Sequence, residues 1–321
     1  MTATTGSTGT GTGTSTNAGT GANTGTGTDA GTGTNAGTGG APGYRQGRTF
    51  SFRTELVRQA SRRRTQLALG FMVLLPLVIL FAFTVGGDDD DEPRSRGQFS
   101  SMVDLATDNG LNFTLFTVFV SASFLLVVVV ALFNGDTVAS EASWGSLRYL
   151  LAAPVPRARL LGVKLLVSLT YSAIALLTLA GTALLIGTLS YGWGPLRRTA
   201  AEAVPPGEGL LRLLAVLGYI AVGLLVVAGL AFLLSVCTDA PLGAVGGAVL
   251  LVILSNILDQ ITALGALRDL LPTHWNGAWL GLLSTPMQTD DIVKGSISAL
   301  VYAAGFWALA WWRFLRKDVV S

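Results

Sequence analysis

Six stretches of roughly twenty residues dominate this sequence: 67–85, 113–133, 165–189, 213–236, 242–261 and 296–312. They carry one charged side chain between them, Asp259. Each is about the length a helix needs to cross a ~30 Å hydrocarbon layer. A backbone in lipid must satisfy its own hydrogen bonds, so only helices or a closed barrel span a membrane. The runs show no strand-like alternation, which favours helices. The composition agrees: half of the 321 residues are apolar and only 12% are charged. A soluble globule cannot cover that much apolar surface. The reading is an all-α integral membrane protein with six transmembrane helices. Pro76 is expected to kink the first.

The loops carry the orientation. With the N-terminus inside, the inner segments hold 14 of the 21 Lys and Arg residues and six of the 19 acidic ones. The outer segments keep seven basic and 13 acidic residues, including the run 88–92. Inside is therefore +8 and outside −6, matching the net charge of +2. By the positive-inside rule both termini are cytoplasmic.

Residues 1–43 include 14 Gly and 15 Thr and almost nothing apolar. Such a segment has nothing to bury against the entropy of ordering and reads as a disordered tail. It lacks the basic start and apolar stretch of a signal peptide. Its glycines are no phosphate loop, because no Lys follows them. Residues 44–66 change character, with seven arginines. Phe52, Leu56 and Ala60 recur every four residues, with Arg58 and Arg62 on the other side. This predicts a basic amphipathic helix lying on the inner membrane face. The alternative is a basic flank that only sets topology. The remainder, 67–321, is the transmembrane domain.

Two loops stand out. The outer loop 262–295 carries Leu267, Leu270, Leu271, Trp275 and Trp279, which predicts short helices at the outer leaflet. The two tryptophans suit interfacial anchoring or ligand contact, and His274 suits an interfacial polar group. The inner loop 134–164 has a helical opening, then Gly145, a short apolar-rich stretch over 146–153, and Pro154 and Pro156 to stop it. A short amphipathic helix here could dock in a partner's groove or pack on its own helix ends.

The run 141–164 reads E-x3-G-S-L-R-x-L-L-A-x-P-V-x-R-x2-L-L-x2-K. It resembles the loop between the second and third helices of permease subunits of type-2 ABC transporters. The basic helix, the six spans, P-T-H-W at 272–275 and F-L-R-K-D at 314–318 extend the resemblance over residues 50–320. Ser146 stands where Thr is common, and Val163 separates Gly162 from Lys164. The resemblance implies an elbow helix at 44–66, a coupling helix in 134–164, and short extracellular helices before the last span. It implies that Glu141, Gly145, Ser146, Leu147, Arg148, Leu151, Pro154, Val155 and Arg157 contact a separate ABC ATPase present in two copies. Glu141 and Arg148 would make polar contacts with that ATPase or with the elbow helix. A second permease copy, identical or related, would complete the dimer, with Gly181, Gly187, Gly223 and Gly229 candidates for its seam. The implied location is a bacterial plasma (inner) membrane, and the implied activity is export.

This chain has no G-x4-G-K-[ST] loop, so ATP and Mg would be bound by the partner ATPase. No cofactor, metal or nucleic acid is expected here. One cysteine, Cys237, and one histidine leave no disulfide framework and no multi-histidine metal site. Two other readings stay open. One is a non-transporting membrane anchor or accessory subunit. The other is a membrane-embedded enzyme, for which Asp259 is the one acidic candidate. The substrate is not encoded in any motif.

Deleting residues 1–43 is expected to leave membrane insertion and assembly unchanged, as read by size-exclusion chromatography in detergent. Loss of the monodisperse species would show that the tail takes part in assembly.

Overall fold

The computed structural model describes residues 51–85, 103–143, 157–198, 201–284 and 286–316. The tail 1–43, the acidic run 88–92 and the segment 144–156 lie outside them. The helices are α1 (Phe52–Ala60), α2 (Arg63–Val85), α3 (Gly110–Ala122), α4 (Leu125–Ser143) and α5 (Arg157–Tyr191). A small antiparallel pair follows, β1 (Leu196–Arg198) and β2 (Ala201–Val204). Then come α6 (Pro206–Cys237), α7 (Pro241–Asp259), two 3-10 segments (Thr262–Leu270 and His274–Leu283) and α8 (Asp290–Arg316). Six helices, α2 and α4 to α8, are long and apolar enough to cross a membrane. The protein is a multi-pass, essentially all-helical membrane protein.

The spans run up and down. α1, the end of α4, the start of α5 and the end of α8 gather at one end, here the basic end. The 3-10 segments and the β pair gather at the other. At about 1.5 Å per residue, the 35 residues of α5 exceed the bilayer core. α5 starts at Arg157, eight positions before the predicted span. The predicted loop 134–164 is therefore narrower. Residues 134–143 belong to α4 and 157–164 to α5.

The predicted second span, 113–133, is two helices that meet at Ser123 and Phe124. No glycine or proline marks the break. The Ser121 hydroxyl donates to the Thr117 carbonyl at 2.6 Å, a local bond that bends helices. α3 is anchored at its start. The Asn109 side chain caps it by accepting from the Asn112 backbone N–H. Gly192, at φ +80°, ends α5 in the left-handed region. Its carbonyl accepts from the Gly110 N–H at 2.9 Å. Asn112 also exchanges two hydrogen bonds with the Arg197 backbone, so the β pair and α3 position each other.

α2 runs through Pro76, which removes one donor. The carbonyl it would have engaged, on Met72, lies 3.4 Å from the Thr182 hydroxyl of α5. That hydroxyl also reaches Thr178 of its own helix at 2.7 Å.

α4, α5 and α6 form the centre, around Phe133, Leu179 and Ala231. A smaller cluster at the basic end packs Leu161, Phe232 and Phe314. α2, α7 and α8 turn most of their apolar side chains outward, as lipid-facing helices do. Helices in lipid gain little from apolar contact alone and rely on close packing. Two of the four glycines named for a dimer seam serve that purpose inside the chain. A Cβ on Gly187 would stand 2.8 Å from the Phe113 ring and 3.1 Å from the Gly110 backbone. One on Gly229 would stand 3.3 Å from the Ala303 backbone. Gly181 meets nothing within 4 Å.

Gly187→Leu should therefore cost roughly 1–3 kcal/mol, seen as a lowered unfolding midpoint in detergent. Gly181→Ala should be neutral or gain up to about 1 kcal/mol from helix propensity. Equal behaviour of the two would contradict the α3–α5 packing.

Candidate functional site: a buried charge network under the basic helix

The sequence pattern of α1 predicts apolar residues on one side and arginines on the other. The side turned to the protein is polar. Glu55 and Gln59, one turn apart, are buried, whereas Phe52 and Val57 are exposed. This suits a helix at a membrane surface. Phe52 and Val57 are left exposed, Leu56 packs partly against the core, and the polar side meets charges from the bundle. The Tyr171 hydroxyl of α5 donates to the Leu56 carbonyl at 2.7 Å and ties the helix down.

Beneath α1 lie the end of α4 and the start of α5. Lys164 is 2% exposed and Glu141 4%. The Lys164 ammonium is 2.6 Å from a Glu141 carboxylate oxygen and 3.7 Å from Glu55. It also donates to the Thr137 carbonyl at 3.3 Å. Arg58 of α1 bridges the same two carboxylates, at 2.7 Å each. A second node holds Asp136, which is 2% exposed. Arg62 reaches it at 3.3 Å, and Arg64, from the first turn of α2, also pairs with it. Four cations thus surround three carboxylates, leaving a net charge of +1 by subtraction.

Below the charges the polar packing continues. Asn134 donates to Ser172 at 3.0 Å and accepts from Ser168 at 2.7 Å. Ser235 of α6 accepts from the Val138 and Ala139 N–H groups at 2.9 and 3.0 Å. Five elements meet here: α1, α2, α4, α5 and α6.

The physical balance is tight. Desolvating an ammonium or carboxylate costs several kcal/mol, and attraction offsets it only when geometry and hydrogen bonds are good. Lys164 has three such contacts and no exit to water. Arg58, by contrast, is 43% exposed in its side chain. Burial works against its charge. Glu55 and Glu141 outweigh that and raise its pKa above the ordinary arginine value. For Arg62, burial and then repulsion from Arg64 lower it.

Of the site residues taken from the sequence, Glu141 sits at the centre of this network, facing the basic helix. Arg157 is exposed at the start of α5. Gly145, Ser146, Leu147, Arg148, Leu151, Pro154 and Val155 lie outside the described residues. From the sequence, Lys164 stands only as the basic end of the 141–164 run and is not a site residue, and Asp136 carries no motif; an acid and a base beside long apolar runs are the visible signal.

A second polar cluster lies at the opposite end. His274 is 2.5 Å from Asp259 through Nδ1 and 3.3 Å from Asp269 through Nε2. Arg268 is 3.5 Å from Asp259. Nε2 faces a carboxylate, so the arrangement is not a Ser–His–Asp relay. Among the described residues, no His, Cys, Asp and Glu groups are placed to hold a metal ion. Trp279, expected at the interface, is buried at 7%. Trp275 accepts a 2.6 Å hydrogen bond at its carbonyl from Tyr219 and lies under the Lys294 ammonium.

The sequence pattern of a family described as "Protein of unknown function (DUF2705)" matches residues 93–320. The chain belongs to this family. Its match includes Asp136, Glu141, Lys164 and Asp259, and begins after α1 and α2. The family's description assigns no activity. No curated protein matches the chain.

Lys164→Met should remove the shortest cation contact of the buried Glu141 carboxylate and cost on the order of 3 kcal/mol. Adding Glu141→Gln should recover much of that loss. Additive losses in detergent unfolding would show that the two side chains are not coupled.

Proposed function

We propose that this chain is the transmembrane permease subunit of an ATP-driven ABC transporter, working as an exporter. ATP is hydrolysed by a separate nucleotide-binding subunit in two copies, and a second permease copy completes the membrane unit. The chain itself carries out no chemistry. α1 is the elbow helix, and the segment between α4 and α5 is the coupling element. It lies on the cytoplasmic side of a bacterial plasma membrane, with both termini inside, as the excess of Lys and Arg at that end supports.

One observation carries the reading. Glu141 and Lys164, the first and last residues of the resemblance-bearing run, meet in a buried contact that also holds α1 through Arg58. The segment 144–156 therefore leaves and re-enters the bundle at a braced joint. A push on that segment reaches α1, α4 and α5 together, because flexing one alone would expose or strand a buried charge. This is the mechanical requirement for transmitting ATPase closure to the spans. Glu141 acts as the pivot of that joint, and Arg148 and the residues around it meet the ATPase.

The test is purification of the full chain from its own membrane. An ATP-hydrolysing subunit is expected to co-purify in equal copies. Glu141→Ala with Arg148→Ala should keep membrane insertion and lose ATPase-coupled transport by at least tenfold. Full coupled activity in that double variant would overturn the role assigned to the joint. A chain that never captures an ATPase would favour a non-transporting accessory subunit.

A further inference from the structure

Two adjoining cavities of about 290 and 380 Å³ lie between α6, α7 and the second 3-10 segment. They share Gly223, Val227, Val252 and Asn276 in their walls and lie side by side as two branches. The larger branch reaches the α3–α4 break at Ala122 and Ser123. Irregular backbone at membrane depth is tolerated where it lines a cavity, and the break does so here.

The lining has a definite chemistry. Among the described residues, no Asp, Glu, Lys, Arg or His lines either branch. One wall is a ladder of Val252 and Asn256 on α7 and its C-cap residue Gln260, four residues apart along one side. Asn276 faces it from the 3-10 segment. Among the described residues, none of these three side-chain amides has a hydrogen-bond partner within the chain; Asn256 is half-buried, and Gln260 and Asn276 are exposed at the mouth of the space. Each offers two donors and an acceptor. The rest of the wall is mostly apolar or aromatic, with Val227, Leu224 and Trp279 prominent; the hydroxyls of Ser123, Ser255 and Thr273 also line it, the last two bonded to each other at 2.7 Å. Gly223 provides the room. A Cβ there would have only the Asn276 amide oxygen nearby, at 3.8 Å.

We propose that this space binds an uncharged amphipathic molecule. Its apolar part lies against Val227, Leu224 and Trp279, and its hydroxyl or amide groups bond to Asn256, Gln260 and Asn276. A charged group would find no counter-charge in the described lining, and its deeper part would be desolvated against Val227 and Leu224. Amides without partners favour a ligand that donates and accepts. The volumes fall at the lower end of small-molecule sites, about 300–1,000 Å³. The inference rests on the transport reading only in taking this ligand as cargo; the site itself stands on the cavity.

The experiment uses the full chain in phosphatidylcholine nanodiscs, without ATP. Radiolabelled octyl glucoside is the neutral probe. Octyl sulfate and octyltrimethylammonium are charged competitors of equal tail length, and empty discs give the background. Saturable binding above background is expected. It should weaken at least tenfold in Asn256→Leu with Asn276→Leu, and again in Gly223→Leu, which fills the space and leaves the amides intact. Neither charged amphiphile should displace the probe at matched concentration. Absence of saturable binding, equal binding in the folded variants, or displacement by a charged competitor would overturn the proposal. ATPase coupling is read separately. Failure here with coupling intact removes only the ligand class, and saturable binding in a chain that captures no ATPase removes only the transport reading.

Discussion

A lysine that cannot reach water organises the basic end of this protein. Lys164 lies at the start of a long membrane helix, where an unpaired ammonium would cost several kcal/mol. Glu141 and Glu55 offset that cost, and they come from different elements. Placing Glu141 fixes the end of α4 against α5. Placing Glu55 and Arg58 brings down α1 with its polar side inward. Asp136 repeats the arrangement with Arg62 and Arg64 and so fixes the start of α2. The basic helix is thus set by charge pairing, with Leu56 partly packed against the core and Phe52 and Val57 exposed.

The opposite end is built on other terms. There the chain uses backbone caps and side-chain bonds to main-chain groups. Asn109 and Asn112 join α3 to the β pair, and Tyr219 and Tyr302 each donate to a carbonyl of the 3-10 segments. Such bonds hold loops over a membrane end, beside the half-buried cluster of Asp259, Arg268 and His274. They also leave room, since 3-10 segments cannot cover α6 and α7 as a long helix would. The cavity under them follows from that choice. One end is braced by buried ions, and the other is roofed by short segments over a neutral space.

Much of this was legible in the sequence. Long apolar runs have few alternatives, so the spans over 67–85, 165–189, 213–236, 242–261 and 296–312 all fall on helices of the structure. Their ends were less legible, because polar residues such as Arg157 and Asp290 continue helices beyond the apolar core. The break at 123–124 carries no proline or glycine and depends on local serine bonding and the cavity beside it. The β pair is too short for its pattern to rise above a loop. The polar inward side of α1 was hidden because the usual reading turns apolar residues toward protein, and here lipid competes for them. Glu141 was visible through its motif. Its partner Lys164 was visible only as a base at the edge of a span, since contacts 23 positions apart depend on how two helices pair.

The proposed role of the segment between α4 and α5 requires that it touch an ATPase. The most direct measurement is a photocrosslink from inside that segment. A benzoyl-phenylalanine at position 146 of the full chain, irradiated in its own membrane, should form an adduct with an ATP-hydrolysing subunit, identified by mass spectrometry. Adducts confined to lipid or to the chain itself would contradict the account.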